Sequence, residues 1–372
     1  MSTAGWRFSF ALGACAIGLG VALGMVHHQP SATRGRGTAV TVQHAFIDDD
    51  VRTTAADIAL GNLAAQIAQL ERLALRSGLS PTQGAALVEL RAAHGQYTGS
   101  IADRERALAV AEDLARRFPT DPAVLLARAR GRSAFHGFAA ALDDIDRAAD
   151  LGASSIAVDD LRAAIYQALG RYDEALAIRR VHAQRDPNSE TLGALASLHA
   201  QRGSIPEAAR LFEEARWSYR DVSPLPLAFL FFDEGSMWMR HGDLGRAEAL
   251  FEAALRRVPG YAAARCRLAE VDAALGRVDQ AIALLEPLAR TADDPEAAAL
   301  LARFLTTARR DGEARAWRET AARRYDELLV AHPDAYGPHA AEFWLTTEGH
   351  LASGMRLSRY APAERRVALV SW

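Results

Sequence analysis

Ile165-Tyr166-Gln167-Ala168-Leu169-Gly170-Arg171-Tyr172-Asp173-Glu174-Ala175-Leu176, with Pro187 twelve residues beyond Ala175, is the stretch whose reading decides the fold. Its apolar residues recur at helical spacing up to Gly170, a residue free to adopt the left-handed conformation that closes a helix. Asp173 is placed to cap a second helix, with Glu174 favoured in its first turn. Ala175 carries so little bulk that two antiparallel helices can approach closely there. Pro187 lacks an N–H and stops the second helix. The unit reads as helix–turn–helix.

The same grammar recurs along the chain. Gly137, Gly170, Gly203, Gly242 and Gly276 stand 33, 33, 39 and 34 residues apart, and five residues after each comes Leu142, Ala175, Ala208, Ala247 or Ala281. Gly203 is followed by Ser204-Ile205-Pro206-Glu207, which reads as a capping box. Phe212 and Ala215, then Phe251, Ala254 and Pro259, then Leu285 and Leu288, keep the register. Weaker copies extend it: Ala107 lies twelve residues before Pro119, and Ala314 and Ala321 keep the seven-residue step of Ala208 and Ala215. A period near 34 residues is the signature of a stacked helical repeat, each unit too small to fold alone. Alternating strand patterns are nearly absent. The expectation is an all-α helical-hairpin repeat solenoid of about seven to eight units, growing by stacking around no single central core.

This arrangement of turn glycine, small packing residues and terminal proline resembles the tetratricopeptide-repeat family, most clearly over 156–290 and more loosely over 80–330. The chain departs from that pattern in places. Only Phe231 supplies the bulky aromatic early in the first helix, and His182 stands where Ala149, Ala215, Ala254 and Ala321 stand in other units. Asp221-Val222-Ser223-Pro224-Leu225-Pro226 adds residues before Gly242. The resemblance implies a right-handed superhelix whose first helices line a concave face. By that register the face includes Gln167, Glu190, Phe229, Phe232, Met239, Arg240, Glu270 and Arg303, with Asp160, Ser197, Gln201, Cys266 and Thr306. The basic and asparagine clamp with which some relatives hold chaperone carboxylates is absent, so no chaperone cofactor is expected.

The N-terminus points to export. Trp6-Arg7 precedes Phe8 to Val26, nineteen residues without a charge, a length suited to a marginal membrane span or a secretory signal. Ala22-Leu23-Gly24 offers a small-x-small cleavage triplet, and Leu12-Gly13-Ala14-Cys15 resembles a lipobox. An uncleaved anchor, a cleaved signal and a lipoprotein all place the body outside the cytoplasm. The organisation expected is a signal or anchor over 1–26, a flexible linker over 27–52, a capping helix over 53–79, repeats over 80–331 and a degenerate repeat or cap over 332–372. There Phe343-Trp344-Leu345 and Gly349 echo the repeat, and Val367-Ala368-Leu369-Val370 with Trp372 would cover the last open apolar face.

Composition removes several chemistries. Formal net charge is −3, and all 43 basic residues are arginine. No lysine nucleophile, Schiff base or phosphate-loop lysine is available, and interspersed charge argues against a nucleic-acid surface. Cys266 is the only cysteine outside the apolar segment, so the body has no intrachain disulfide. No GxSxG, HExxH or strand-borne GxGxxG occurs. His339 and Glu342 share a helix face but read as a surface pair, His27-His28 lies in the linker, and Asp48-Asp49-Asp50 reads as compensation of a helix dipole. No catalytic, cofactor or metal site is expected.

That leaves binding. Leu227-Ala228-Phe229-Leu230-Phe231-Phe232, with Met237, Trp238 and Met239, carries more bulky apolar residues around one helix than a single packed face needs. It fills the interior beside the Pro224/Pro226 insertion or forms a groove for a peptide or helix. The function expected is a non-catalytic scaffold binding protein or peptide segments in the cell envelope, periplasmic and anchored to the inner membrane through its N-terminal segment, or else secreted or lipidated. A fixed structural subunit of a membrane complex and an accessory domain of an envelope enzyme are the alternatives. No nucleic-acid or small-molecule partner is expected.

Overall fold

The computed structural model describes residues 51–345, and among these it contains sixteen α-helices. The apolar N-terminal stretch, nearly all of the linker, Asp48-Asp49-Asp50 and the end of the C-terminal cap lie outside the described residues. A lone helix α1 (Ala56–Ser77) leads into seven antiparallel hairpins. Unit one is α2 (Pro81–Thr98) and α3 (Ile101–Arg117), and unit two is α4 (Pro122–Ser133) and α5 (Phe138–Asp150). Unit three is α6 (Ser155–Ala168) and α7 (Tyr172–Arg185), and unit four is α8 (Ser189–Gln201) and α9 (Ile205–Trp217). Unit five is α10 (Pro224–Arg240) and α11 (Leu244–Arg257), and unit six is α12 (Ala262–Ala274) and α13 (Val278–Thr291). Unit seven is α14 (Pro295–Thr307) and α15 (Asp311–Ala331), followed by α16 (Pro333–Leu345). The chain is a helical-hairpin repeat solenoid, as its periodicity implies.

The turns obey a stricter rule than the glycines did. Gly170, Gly203, Gly242 and Gly276 have φ of 76° to 85°, but Gly137 sits at φ −71° and the left-handed residue there is His136, at φ 62°. Unit seven turns at Arg309, φ 58°. Unit one turns at Gly99, φ 71°, and has Arg104 five residues on; from unit two onward the left-handed turn residues stand at intervals of 34, 33, 39, 34 and 33 residues. Five residues after each comes the buried anchor: Ala141, Ala175, Ala208, Ala247, Ala281 and Ala314, none more than 1% exposed. Leu142 is therefore not the anchor of its unit; it is half-buried, one residue past Ala141.

The expected caps are also corrected. Ser204 is the N-cap of α9 and Arg171 that of α7, yet neither makes a side-chain cap bond. Both have ψ near 60°, away from the extended region typical of a capping residue. Asp173 instead pairs with Arg202 of the next unit, 2.5 Å away, and Glu207 pairs with Arg210.

Four residues beyond the anchor, Ile145, Phe212, Phe251 and Leu285 are fully buried in units two, four, five and six. Unit three has Arg179 at that position and His182 three residues later. Both reach Asp160 of α6, at 3.2 Å and 2.8 Å, so polar contacts stand here where the other units place an apolar residue. The apolar core divides nearby: residues of α4 to α6 form one cluster, and a second, larger one joins Leu63 and Ile67 of α1 and Leu87, Leu90, Ala93 and Tyr97 of α2 to α7 through α12.

The spiral returns upon itself. The Tyr97 hydroxyl donates to the Leu225 carbonyl at 2.8 Å, and its ring centroid lies 4.9 Å from that of Tyr261. The Asp293 carboxylate accepts the first amides of α3, Ile101 N at 2.6 Å and Ala102 N at 2.8 Å. Phe135 stacks on His332 at 3.7 Å, and His332 Nε2 lies 3.2 Å from Glu105 Oε1. Thr54 N donates to Val222 O at 2.7 Å, and Arg257 binds the Val51 carbonyl. The turns of units one and two thus rest on the loops leading into α10, α12, α14 and α16.

Candidate partner-binding surface

The first helices of successive units face inward, and a polar ladder runs across five of them. Gln167 Nε2 of α6 donates to Ser197 Oγ of α8 at 3.3 Å. On α10, burial pushes the Asp233 carboxyl above the usual carboxylate range, while Arg240 and the Ser197 hydroxyl pull it back. On α12, burial works against the charge of Arg267, but Glu270 and Glu296 outweigh it and hold the guanidinium above its ordinary value. Arg267 bridges Glu270 of its own helix and Glu296 of α14, and Arg303 of α14 reaches back to Glu270 at 3.3 Å. The rung from α6 to α8 is a neutral hydrogen bond, while the buried ions of α10 to α14 each have an oppositely charged neighbour, as buried ions require.

The eight residues singled out from the sequence fall into three groups. Gln167 and Glu270 are buried rungs of the ladder, and Arg303, its side chain 47% exposed, extends from it. Arg240 is exposed and Glu190 half-buried at the start of α8. Phe232 is inside the core, its centroid 5.1 Å from Tyr261 and 6.0 Å from Phe251; Phe229 and Met239 are half-buried against the same cluster. Leu227, Leu230, Phe231 and Met237 are buried with Phe232. The excess of apolar residues around α10 has a structural cause. Besides α8, α9, α11 and α12, this helix packs against α1, whose Leu63 and Ile67 join the same cluster.

Sequence reasoning passed over Asp233, Arg267, Tyr97, Tyr261 and Asp293. Asp293-Asp294-Pro295 held a readable signal. Asp294 caps α14, accepting from Glu296 N at 3.0 Å, so the adjacent carboxylate was spare. Cys266 also lies on this face, where burial pushes its thiol well above its ordinary range, so it stays protonated and unreactive.

Residues 239–304, from the end of α10 to α14, match the family model of the tetratricopeptide repeat. That part of the chain carries the tetratricopeptide repeat. Solved structures of such proteins share the fold. The human IFIT1 dimer with PPP-AAAA superposes with a TM-score of 0.52 at 16% identity, covering 85% of this chain and 81% of that one. A monomeric IFIT1 mutant with Gppp-AAAA gives 0.53 at 15% identity, covering 83% and 78%. Against Cut9 of the APC/C tetramer Cut9-Hcn1 the values are 0.49 and 15%, over 77% of this chain, which spans about half (53%) of that one. No curated relative matches the chain. At these identities the likeness to the IFIT1 structures is one of fold alone, a helical-hairpin solenoid.

Proposed function

We propose that this protein is a non-catalytic scaffold that binds protein segments along the inner face of its repeats and works in the cell envelope, tethered through residues 8–26. The ladder carries the first half of the reading. It lines the first helices of units three to seven with polar groups, Arg240 and Arg303 reaching solvent, an array suited to the carbonyls and carboxylates of an extended segment. The uncharged stretch Phe8 to Val26 supports the second half. No helix of the described residues is long and apolar enough to cross a membrane, so a tether falls to that stretch.

Photo-crosslinkers placed at positions 240 and 303, with exposed Glu252 of α11 as control, test the surface in intact cells. The expected result is one common adduct from 240 and 303 and none from 252; adducts from 252 alone overturn the inner-face reading. A reporter fused after residue 40 tests export separately. Cytoplasmic activity of that reporter overturns the envelope placement and leaves the surface assignment standing.

A further inference from the structure

One face of α1 is packed and the opposite face is bare. Ala59, Leu63, Ile67 and Leu70 turn into the core that this helix shares with α10. On the other side Ile58, Gly61, Ala65, Ala68, Arg72 and Leu75 follow at steps of three, four, three, four and three residues, the spacing of a helix-pairing seam. All but half-buried Ala68 are exposed, Ile58 to 53% and Leu75 to 89%. The solvent side of a surface helix is ordinarily charged, yet from Ile58 to Leu70 there is no charge at all.

Read backwards, the seam is its own complement. Two copies set antiparallel, with Ala65 against Ala68, bring Ile58 of each against Leu75 of the other and Gly61 against Arg72. Gly61 is the residue that α1 alone does not account for. Glycine weakens a helix interior relative to alanine, and a Cβ at this position would meet no atom within 4 Å. In the antiparallel pair it is the gap that receives the stem of the second copy's arginine. Charge selects the same orientation. Asp57 lies in the first turn, Arg72 and Arg76 lie at the other end, and Glu71 is taken by Arg91 of α2. Antiparallel pairing sets each acidic end beside a basic one and opposes the helix dipoles, whereas parallel pairing would stack Arg72 on its own copy.

We propose that this face of α1 is a contact between two copies of the chain, paired antiparallel about a twofold axis, with Ile58 on Leu75 at either end and alanine at the centre. The 22 residues of α1 span about 33 Å, so a strip one helix diameter wide covers roughly 350 Å² of each copy, under half of a standard interface. The dimer is therefore weak and dissociates on dilution, and holding both copies on one surface favours it. The pairing is a property of α1 and rests neither on the inner face nor on export.

Disulfide trapping of the full-length chain tests partner and orientation together. Ile58→Cys and Leu75→Cys are made separately in a Cys15→Ser background, Cys266 being buried. Like positions of the two copies stand about 25 Å apart in the antiparallel pair, so each variant alone is expected to trap little dimer. Mixed, the two should trap at least tenfold more, and the yield should fall on dilution. Ile58→Cys mixed with Val330→Cys, which is exposed on α15, is the control for collision. Gly61→Leu added to both chains should cut trapping at least tenfold without lowering the melting temperature, since it displaces nothing within one copy. A mixture that traps no more than its components or the control overturns the proposal, as does trapping that Gly61→Leu leaves unchanged. Dimer from either variant alone would mean parallel pairing. With Cys15 restored, an intrachain link from position 58 or 75 to Cys15 would make the chain's own apolar stretch the occupant; either result refutes the antiparallel dimer.

Discussion

Arg309 and Gly276 make a matched pair for testing the rule that organises the turns. Both occupy the left-handed position, at φ 58° and 82°, five residues before Ala314 and Ala281. A side chain at such a φ costs about 1–2 kcal/mol, which Arg309 bears and Gly276 avoids. Arg309→Gly relieves that strain but adds freedom to the unfolded chain worth about 0.4–1 kcal/mol, leaving a net gain of about 0.5–1 kcal/mol. Gly276→Ala runs the other way and should cost about 1 kcal/mol. Its added Cβ would meet no atom within 4 Å, so the loss measures backbone conformation free of any clash. Arg309 is exposed, so nothing buried is forfeited in the first exchange. His136 does not offer the same gain: its ring stacks on Phe138 at 5.1 Å and its Nδ1 lies 3.2 Å from the Asp334 carbonyl oxygen. Urea titration followed by circular dichroism reads both variants, with slopes compared so that a change of midpoint reports stability. A solenoid need not unfold in one step, so amide exchange in the affected unit is the second readout. Arg309→Gly lowering stability, or Gly276→Ala leaving it unchanged, would refute the rule.

Gly235→Ala places a Cβ 2.8 Å from the Phe251 ring, so α10 and α11 must separate; a loss of about 1–3 kcal/mol is expected in thermal melts, and an unchanged melting point would contradict the close packing. Phe232→Arg buries a charge among Tyr261, Phe251 and Phe229 and should abolish the folded state, at a cost of about 3–5 kcal/mol or more; wild-type helicity and melting would show instead that this side chain reaches solvent. Asp294→Asn addresses pH. Burial, then the charge of Glu296, pushes the Asp294 carboxyl up to about 6, with Arg104 opposing. The folded protein therefore binds this proton more tightly than the unfolded chain, and the group's contribution to stability, full below pH 4, is lost as pH rises to about 6. Asparagine caps a helix as well as aspartate. The variant should gain about 1–2 kcal/mol at pH 7.5 and little at pH 4.5, and an equal effect at both would contradict the shift.

The hairpins were legible because their anchors are tied to the turn by a fixed count: Ala175, Ala208, Ala247 and Ala281 all fall five residues after a glycine. Where the count was started from Gly137 it was off by one. Glycine stands in for a left-handed backbone, and at that turn the left-handed residue is histidine, a type enriched there among non-glycines. Arg309 carries no such signal, so the seventh turn was found only through Ala314. The 39-residue interval was legible as an irregularity and not as a cause. It holds the longer α10 and the loop 218–223, which receives the segment 51–54 at Val222 and, just beyond, Tyr97 at Leu225. Half of the ladder was within reach, because the register places Gln167, Ser197, Glu270 and Arg303 on one face. Asp233 and Arg267 lie a turn earlier on their helices and join through partners on other units, which periodicity does not reveal.

The returning edge lay beyond reach for a related reason. It pairs residues 128 to 227 positions apart, Tyr97 with Leu225 and Glu105 with His332, and no repeat predicts its own distant neighbour. Distance along the chain is nonetheless a weak obstacle. Closing the 192 residues between Ile101 and Asp293 costs a flexible chain only about 1.5 kcal/mol more than closing one 34-residue unit, because the entropy grows with the logarithm of length. A carboxylate accepting two amides at a helix start returns about that much or more. Once the intervening units have stacked, their shape has already brought the two edges together, and the remaining cost is smaller still. The edge therefore holds, and beside these bonds buried Ile101 and Phe135 pack with Leu328, Ala335 and Tyr336 across it. An exchange at Asp293 should be felt at α3, although nearly two hundred residues and five complete hairpins lie between them.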